Sequence, residues 1–269
     1  MSLEIKTIPV ITVEQMAQIE QLMFEEFGIH RNVMMEKAGI QLAELSHRRL
    51  NYKPFRKKVA VVVGNEKYRT CGIVAARCLS KLESQVTILA VNSEASICLE
   101  NKQEFLQDPN IDYKEVANSW QTFHKDTYDL ILDLLLGYDI WDECPSEFAN
   151  IIDEMNRSDT PIISMDIPSG LDGETGVNSD HCIRAAATLT LALPKVGLLV
   201  PEASPFVGNL FLADISIPPS LYQMLGISCT PIFQNNGIIP LSENSIAEHT
   251  RLFFTHQISA HGCLLLEKG

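Results

Sequence analysis

The chain has 269 residues, 46% of them apolar, which suits one large α/β domain, or one domain with an appendage. Its 34 acidic against 21 basic residues leave a formal charge of −13, a field that repels phosphate backbones, and no basic run offsets it, so no nucleic-acid partner is expected. No apolar run reaches membrane-spanning length and MSLEIKTIPV lacks the basic start and long apolar core of a signal peptide, so the expectation is a cytoplasmic chain with no membrane association.

Two helices open the chain. Thr12 and Gln15 form a capping-box pattern, and Val13, Met16, Ile19, Leu22, Met23 and Phe27 recur at helical spacing up to Gly28. Val33, Met34, Ala38, Leu42 and Leu45 mark a second helix to about Leu50, closed by Asn51–Pro54. VAVVV (59–63) is a continuous β-branched run of the kind found in strands buried on both faces. A helix over 73–82 and a strand over 86–91 follow, then a helix over 99–106 and a short strand over 113–116. The alternation continues with a strand over 130–136, a helix over 148–155 and strands over 161–165, 187–193 and 210–213. This order predicts a doubly wound, Rossmann-like three-layer αβα sandwich with a mostly parallel sheet and a helical N-terminal extension. Beyond Pro218-Pro219 the pattern fades into a loop-rich stretch through Pro231, Asn235-Asn236-Gly237 and Pro240.

Seven cysteines form no C-x-x-C pair, and an odd number cannot all pair within one chain, so reduced thiols are expected. His256 and His261 stand five apart, which matches neither one helical face nor a zinc-ligand spacing.

The most informative stretch is PIISMDIPSGLDGETG, residues 161–176. An apolar strand ends in Asp166, a Pro-Ser-Gly turn follows, and a second acidic loop carries Asp172 and Glu174. Ligands in open α/β sheets sit outside the carboxyl ends of the strands, so an Asp, a Ser hydroxyl and a Gly turn delivered there suit a polar ligand or an ion. The same residues also suit a plain tight turn in which Asp and Ser satisfy local backbone groups. Asp133 ends the apolar run LILDLLL, where an acid is costly unless it meets a cation, a ligand or helix-start amides. Lys195, after a Pro at a strand end, either faces a ligand or faces water.

Five segments in order carry a family resemblance. IPSGLDGETG is similar to the D-I-P-S-G-L-[DN]-x-[DN]-T-G signature of the NAD(P)H-hydrate epimerases, the YjeF N-terminal family. MMEKAGIQLA (34–43), DLILDLLLG (129–137), LPKVGLL (193–199) and GNLFLADISIP (208–218) resemble further family segments. The resemblance implies inversion at the hydrated carbon of the dihydronicotinamide ring, which interconverts the epimers of damaged NADH or NADPH, that is, nucleotide repair. It also implies a homodimer and a potassium ion held by Asp133 and Ser169, with Asp133 in an acid–base role and Asp166 in contact with the nucleotide. Gly137 opens a second nucleotide segment in which the family's G-T-G has become Gly137-Tyr138-Asp139.

One segment departs more sharply. Where the family places G-P-G-N-N-G-G-D-G, this chain has Gly64-Asn65-Glu66-Lys67-Tyr68-Arg69-Thr70-Cys71-Gly72. The resemblance assigns Lys67, Tyr68, Arg69, Thr70 and Cys71 to the nucleotide loop. A family Asn that ligates potassium falls on Tyr68, and the family Asp falls on Cys71. A phenol binds hard cations poorly, so a weakened cation site is expected. Lys67 and Arg69 offer charge where glycine amides cradled phosphate, or they simply face water. Cys71 beside Arg69 at a helix start is a candidate for a lowered thiol pKa.

The domain is expected to span 1–220 and a tail 221–269. The tail's end, RLFFTHQISAHGCLLLEKG, weakly resembles the linker and first strand of an ADP-dependent dehydratase domain, or is an ordinary last strand of the same domain. No dehydratase activity is expected. Two readings of function follow: a divergent NAD(P)H-hydrate epimerase, or a catalytically silent relative that binds nucleotide or dimerises, in the manner of the messenger-RNA decapping scaffolds with a rewritten loop.

Overall fold

The computed structural model describes residues 8–64, 66–91, 107–116, 127–137, 146–229, 231–233 and 236–242. Helix α1 (Val13–Glu25) begins at the expected capping box, with Gln15 N–H donating to Thr12 Oγ1 at 3.0 Å and Thr12 N–H to Gln15 Oε1 at 2.9 Å. Helix α2 (Arg31–Arg49) follows, and strand β1 (Lys58–Val63) enters the sheet. Then come α3 (Glu66–Lys81), β2 (Gln85–Val91), β3 (Ile111–Val116), β4 (Leu130–Leu134), α4 (Ser146–Arg157), β5 (Ile162–Met165) and β6 (Ala187–Leu191). The short α5 (Ser204–Val207), β7 (Asn209–Ala213), α6 (Pro219–Met224) and β8 (Ile238–Pro240) complete the described α-helices and strands, with 3-10 turns at Val196–Leu199 and Pro201–Ala203 between β6 and α5.

The strands form one sheet in the order β3-β2-β1-β4-β5-β6-β7-β8, parallel throughout except for the antiparallel β7–β8 pair. Alternation along β1 builds the three layers. Val59, Val61 and Val63 face a cluster with Met16, Met34, Leu42 and Leu79 from α1 to α3. Ala60 and Val62 face a separate cluster with Phe148, Ile151, Ile152 and Met155 from α4. Successive side chains of a strand point to opposite faces, so a fully apolar strand must serve two cores at once. The expected doubly wound α/β architecture is the one observed. The chain turns back at β1 to run to β2 on one side and β4 on the other, which places the topological switch point between β1 and β4.

Two boundaries differ from the sequence reading. Helix α3 starts at Glu66, not at residue 73, because 66–71 hold no glycine and pose no barrier to helix, and Glu66 sits favourably at the positive helix end. The sheet also continues past residue 220: Leu221 and Ile238 are buried in the main cluster, and β8 pairs with β7 through Ala213–Ile238 and Leu212–Ile239. The expected helix at 99–106 and the expected last strand at the end of the chain lie outside the described residues. Among the described residues no helix is long and apolar enough to cross a membrane.

Candidate functional site

Parallel pairing brings the carboxyl ends of β1, β4, β5 and β6 to one edge. Asp133 lies opposite Ser164, and Val63 opposite Leu134. The turn after β5 then folds back over that edge. Asp166 takes a left-handed backbone conformation (φ 66°), which Asp tolerates better than most residues, and Gly170 supplies φ 92° where a Cβ would lie 2.1 Å from the His181 carbonyl oxygen.

Asp133 is fully buried and its carboxylate is saturated from within the chain. Oδ1 accepts Ser169 Oγ–H at 2.6 Å and Leu135 N–H at 3.2 Å, while Oδ2 accepts Ser164 Oγ–H at 2.7 Å and Ser169 N–H at 3.0 Å. Ser169 Oγ in turn accepts Leu136 N–H at 3.1 Å. Burial pushes the Asp133 carboxyl above the usual range, and the four donors, which favour the anion, only partly offset it.

Asp166 is equally buried but faces a cation. Lys195 Nζ, itself wholly buried, donates to Oδ1 at 2.5 Å, joined by Thr190 Oγ1–H at 3.1 Å and Leu191 N–H at 3.0 Å. Oδ2 accepts the Tyr68 hydroxyl at 2.9 Å. Burial alone would raise this carboxyl, yet the Lys195 charge and its hydrogen bond, with Leu191 N–H and the more distant Lys67, hold it below the usual carboxylate range. Lys195 is fixed by its own surroundings: its Nζ also donates to the Leu191 carbonyl at 3.0 Å, and its backbone pairs with Ile11 from the N-terminal segment.

Tyr68 fills the space between these loops. It is fully buried on the first turn of α3, and a Cβ at Gly137 (φ 68°) would lie 2.0 Å from its ring. Gly137 is thus required both for its backbone angle and for the ring that rests on it. Lys67 forms a nearly buried ion pair with Glu20 of α1 at 3.1 Å. Thr70 lies against Asn32, with Oγ1 at 3.5 Å from Asn32 Oδ1. Cys71 is wholly buried, and burial, reinforced by the Asp166 charge, pushes its thiol well up, so the reactive thiolate considered from sequence is overturned. Arg69 is half-buried one residue beyond Tyr68. The acidic pair of the following loop is structural: Asp172 Oδ1 accepts Glu174 N–H and Thr175 N–H, both at 2.7 Å, and Glu174 Oε2 caps α1 through Val13 N–H at 2.9 Å.

A potassium shell does not fit these side chains as they stand. Such an ion needs several oxygen lone pairs turned to one point. Here each Asp133 oxygen already accepts two internal donors, Ser169 Oγ accepts Leu136 N–H, and a phenol directed at Asp166 stands where the resemblance expects a ligating carbonyl. The sequence reading named Asp133, Asp166 and Ser169, which converge. It missed Ser164, Thr190 and Glu20, whose only signal is a polar residue inside an otherwise apolar strand or helical stripe.

The family described as "YjeF-related protein N-terminus" matches residues 31–197, more than half of the chain. The chain is 31% identical over 209 residues to the NAD(P)H-hydrate epimerase of Lentilactobacillus buchneri, covering 77% of this chain and 94% of that one. It is 32% identical over 222 residues to the NAD(P)H-hydrate epimerase of Dehalogenimonas lykanthroporepellens, covering 82% and 88%. The crystal structure of yeast ynu0 superposes with a TM-score of 0.71 at 21% identity, over 86% of this chain and 99% of that one.

Proposed function

This chain belongs to the YjeF-related N-terminal family, and on that premise we propose that it is a divergent NAD(P)H-hydrate epimerase. One observation supports this reading most: two fully buried carboxyls at one sheet edge whose environments drive them in opposite directions. Pairs of this kind divide acid from base roles. Inversion at a hydrated ring carbon needs the hydroxyl to leave as water, with a proton supplied, and water to return on the other face, with a proton withdrawn. Asp133, raised by burial, is the carboxyl suited to give up and take back the proton, and Asp166, kept ionised by Lys195, is the weaker base and is suited to stabilise positive charge developing on the ring. The nucleotide would lie at the switch point between β1 and β4, against Gly137 and the first turn of α3. Lys67 and Arg69 stand at that turn, where their charge would face the phosphates, and Lys67 is paired with Glu20.

The silent-scaffold reading is favoured by one specific feature, the Tyr68 ring lying on Gly137 at that same edge. The two readings separate in one experiment. Purified protein is incubated with each resolved hydrate epimer and interconversion is followed against the spontaneous rate. Acceleration that falls by about two orders of magnitude or more in Asp133→Asn supports the enzyme. Absence of acceleration, with a melting temperature unmoved by saturating NADP, supports the scaffold, because a ligand that binds the native state must stabilise it.

A further inference from the structure

We infer that Tyr68, which falls where the family resemblance places a cation-ligating Asn, fills that place with its ring, and that this chain's site is built to work without a bound monovalent cation. The inference rests on the family reading of the site but not on turnover.

Three observations carry it. The first is chemical occupancy. The resemblance gives the cation Asp133 and Ser169 as ligands; here each Asp133 oxygen already accepts two internal donors, and Tyr68 directs its hydroxyl to Asp166 at 2.9 Å. The second is steric. Position 68, where the resemblance expects a carbonyl-bearing Asn, holds the ring that reaches within 2.0 Å of a Cβ built on Gly137, so the ring takes up the volume between Gly137 and Asp166. The third is rigidity. The turn bearing Tyr68 is a helix start, not an open loop, and the preceding residue is tied to α1 by the Lys67–Glu20 pair. A tyrosine set on a fixed helical turn and bonded at its tip cannot move aside without breaking a buried hydrogen bond. Among the described residues Asp133 has no positive partner at the site and is stabilised by hydroxyl and amide hydrogens.

Tyr68 is therefore a positioning residue for Asp166, and the test reads ion binding directly. Melting temperature is measured in potassium chloride and in N-methylglucamine chloride at matched ionic strength, for the natural chain and for Tyr68→Asn. The natural chain should melt at the same temperature in both salts. Tyr68→Asn, which exchanges the phenol for a carbonyl oxygen and opens the volume, should melt at least roughly 3 °C higher in potassium. A potassium-specific rise in the natural chain overturns the inference outright. A variant that gains no potassium response overturns the role given to Tyr68. Should Tyr68→Asn not fold, Tyr68→Gln fills more of the space and still offers a carbonyl oxygen, and the same two outcomes decide. Because no substrate is present, failure here leaves the epimerase reading standing, and absence of epimerisation leaves this result standing.

Discussion

At the residue scale Asp133 and Asp166 are both fully buried at one sheet edge, and their difference lies wholly in their neighbours. Asp166 has Lys195 at 2.5 Å; among the described residues Asp133 has only neutral donors. A carboxyl whose folded pKa is lowered contributes stability above the ordinary carboxylate pKa of about 3.9, and that contribution is lost as pH falls through the lowered value. Asp166 is of this kind. Asp133, raised, behaves oppositely: its contribution is present below about 3.9 and is lost as pH rises through its raised value. Lys195→Met tests the first. Removing one partner of a buried pair costs about 3–5 kcal/mol, because the remaining charge is left uncompensated. Without Lys195, burial dominates and Asp166 joins Asp133 above the usual range. The variant's deficit against the natural chain should therefore be largest near neutrality and shrink in acid, as Asp166 becomes protonated. Urea denaturation at several pH values checks this, and a deficit that does not change with pH would sink the assignment.

At the scale of elements, the site depends on how closely α2 and α3 approach. Gly39 of α2 makes that approach: a Cβ there would lie 2.5 Å from the Cys71 carbonyl oxygen and 2.8 Å from Val74 Cβ. Since α3 carries Tyr68, pushing the helices apart also moves the ring. Gly28, which ends α1, is the useful contrast, having positive φ (63°) but open space around it. Gly28→Ala should cost only the left-handed backbone penalty, about 1–2 kcal/mol. Gly39→Ala should cost a similar or larger amount, about 1–3 kcal/mol, through overpacking. The distinguishing measurement is the near-ultraviolet circular dichroism of buried Tyr68, which should change in Gly39→Ala and not in Gly28→Ala. Much of this level was readable beforehand. Apolar periodicity gave α1, α2 and the strands, and the capping residues gave the start of α1. The start of α3 was not readable, because the family pattern argued for a loop while the residues actually present favour helix, and local propensity won. Ser164 and Thr190 were hidden for a different reason. Their importance depends on cross-strand register, Asp133 opposite Ser164 and Thr190 beside the Asp166 turn, and no local pattern reports it.

The whole molecule is a sheet whose far edge is completed by a segment that sequence reading set apart as a tail. The strand Ile238–Pro240 is too short, and too close to a proline, to show periodicity. Its role is set by where it lands. Ile238 and Leu221 are buried in the same cluster as the strands that carry the site, Asp214 N–H donates to the Gly237 carbonyl at 2.9 Å, and Leu241 N–H donates to the Leu210 carbonyl at 2.9 Å. Pro240 at the outermost strand leaves an edge poorly suited to pairing with another chain. A chain cut at residue 220 loses this cover. It exposes the row of backbone groups on β7 and the apolar surface that Leu221 and Ile238 shield, each of the two a side chain whose loss from a core costs about 2–5 kcal/mol. Ending the chain at 242 keeps every contact named here. The chain ended at 242 serves as the reference. The 1–220 version should melt at least roughly 8 °C lower, since each kcal/mol is worth about 2–4 °C at this size, and should associate as it does so. Differential scanning calorimetry with light scattering measures both. If 1–220 is as stable as 1–242 and aggregates no more than it does, then β8 is an ornament on the sheet and the domain ends where the sequence pattern fades.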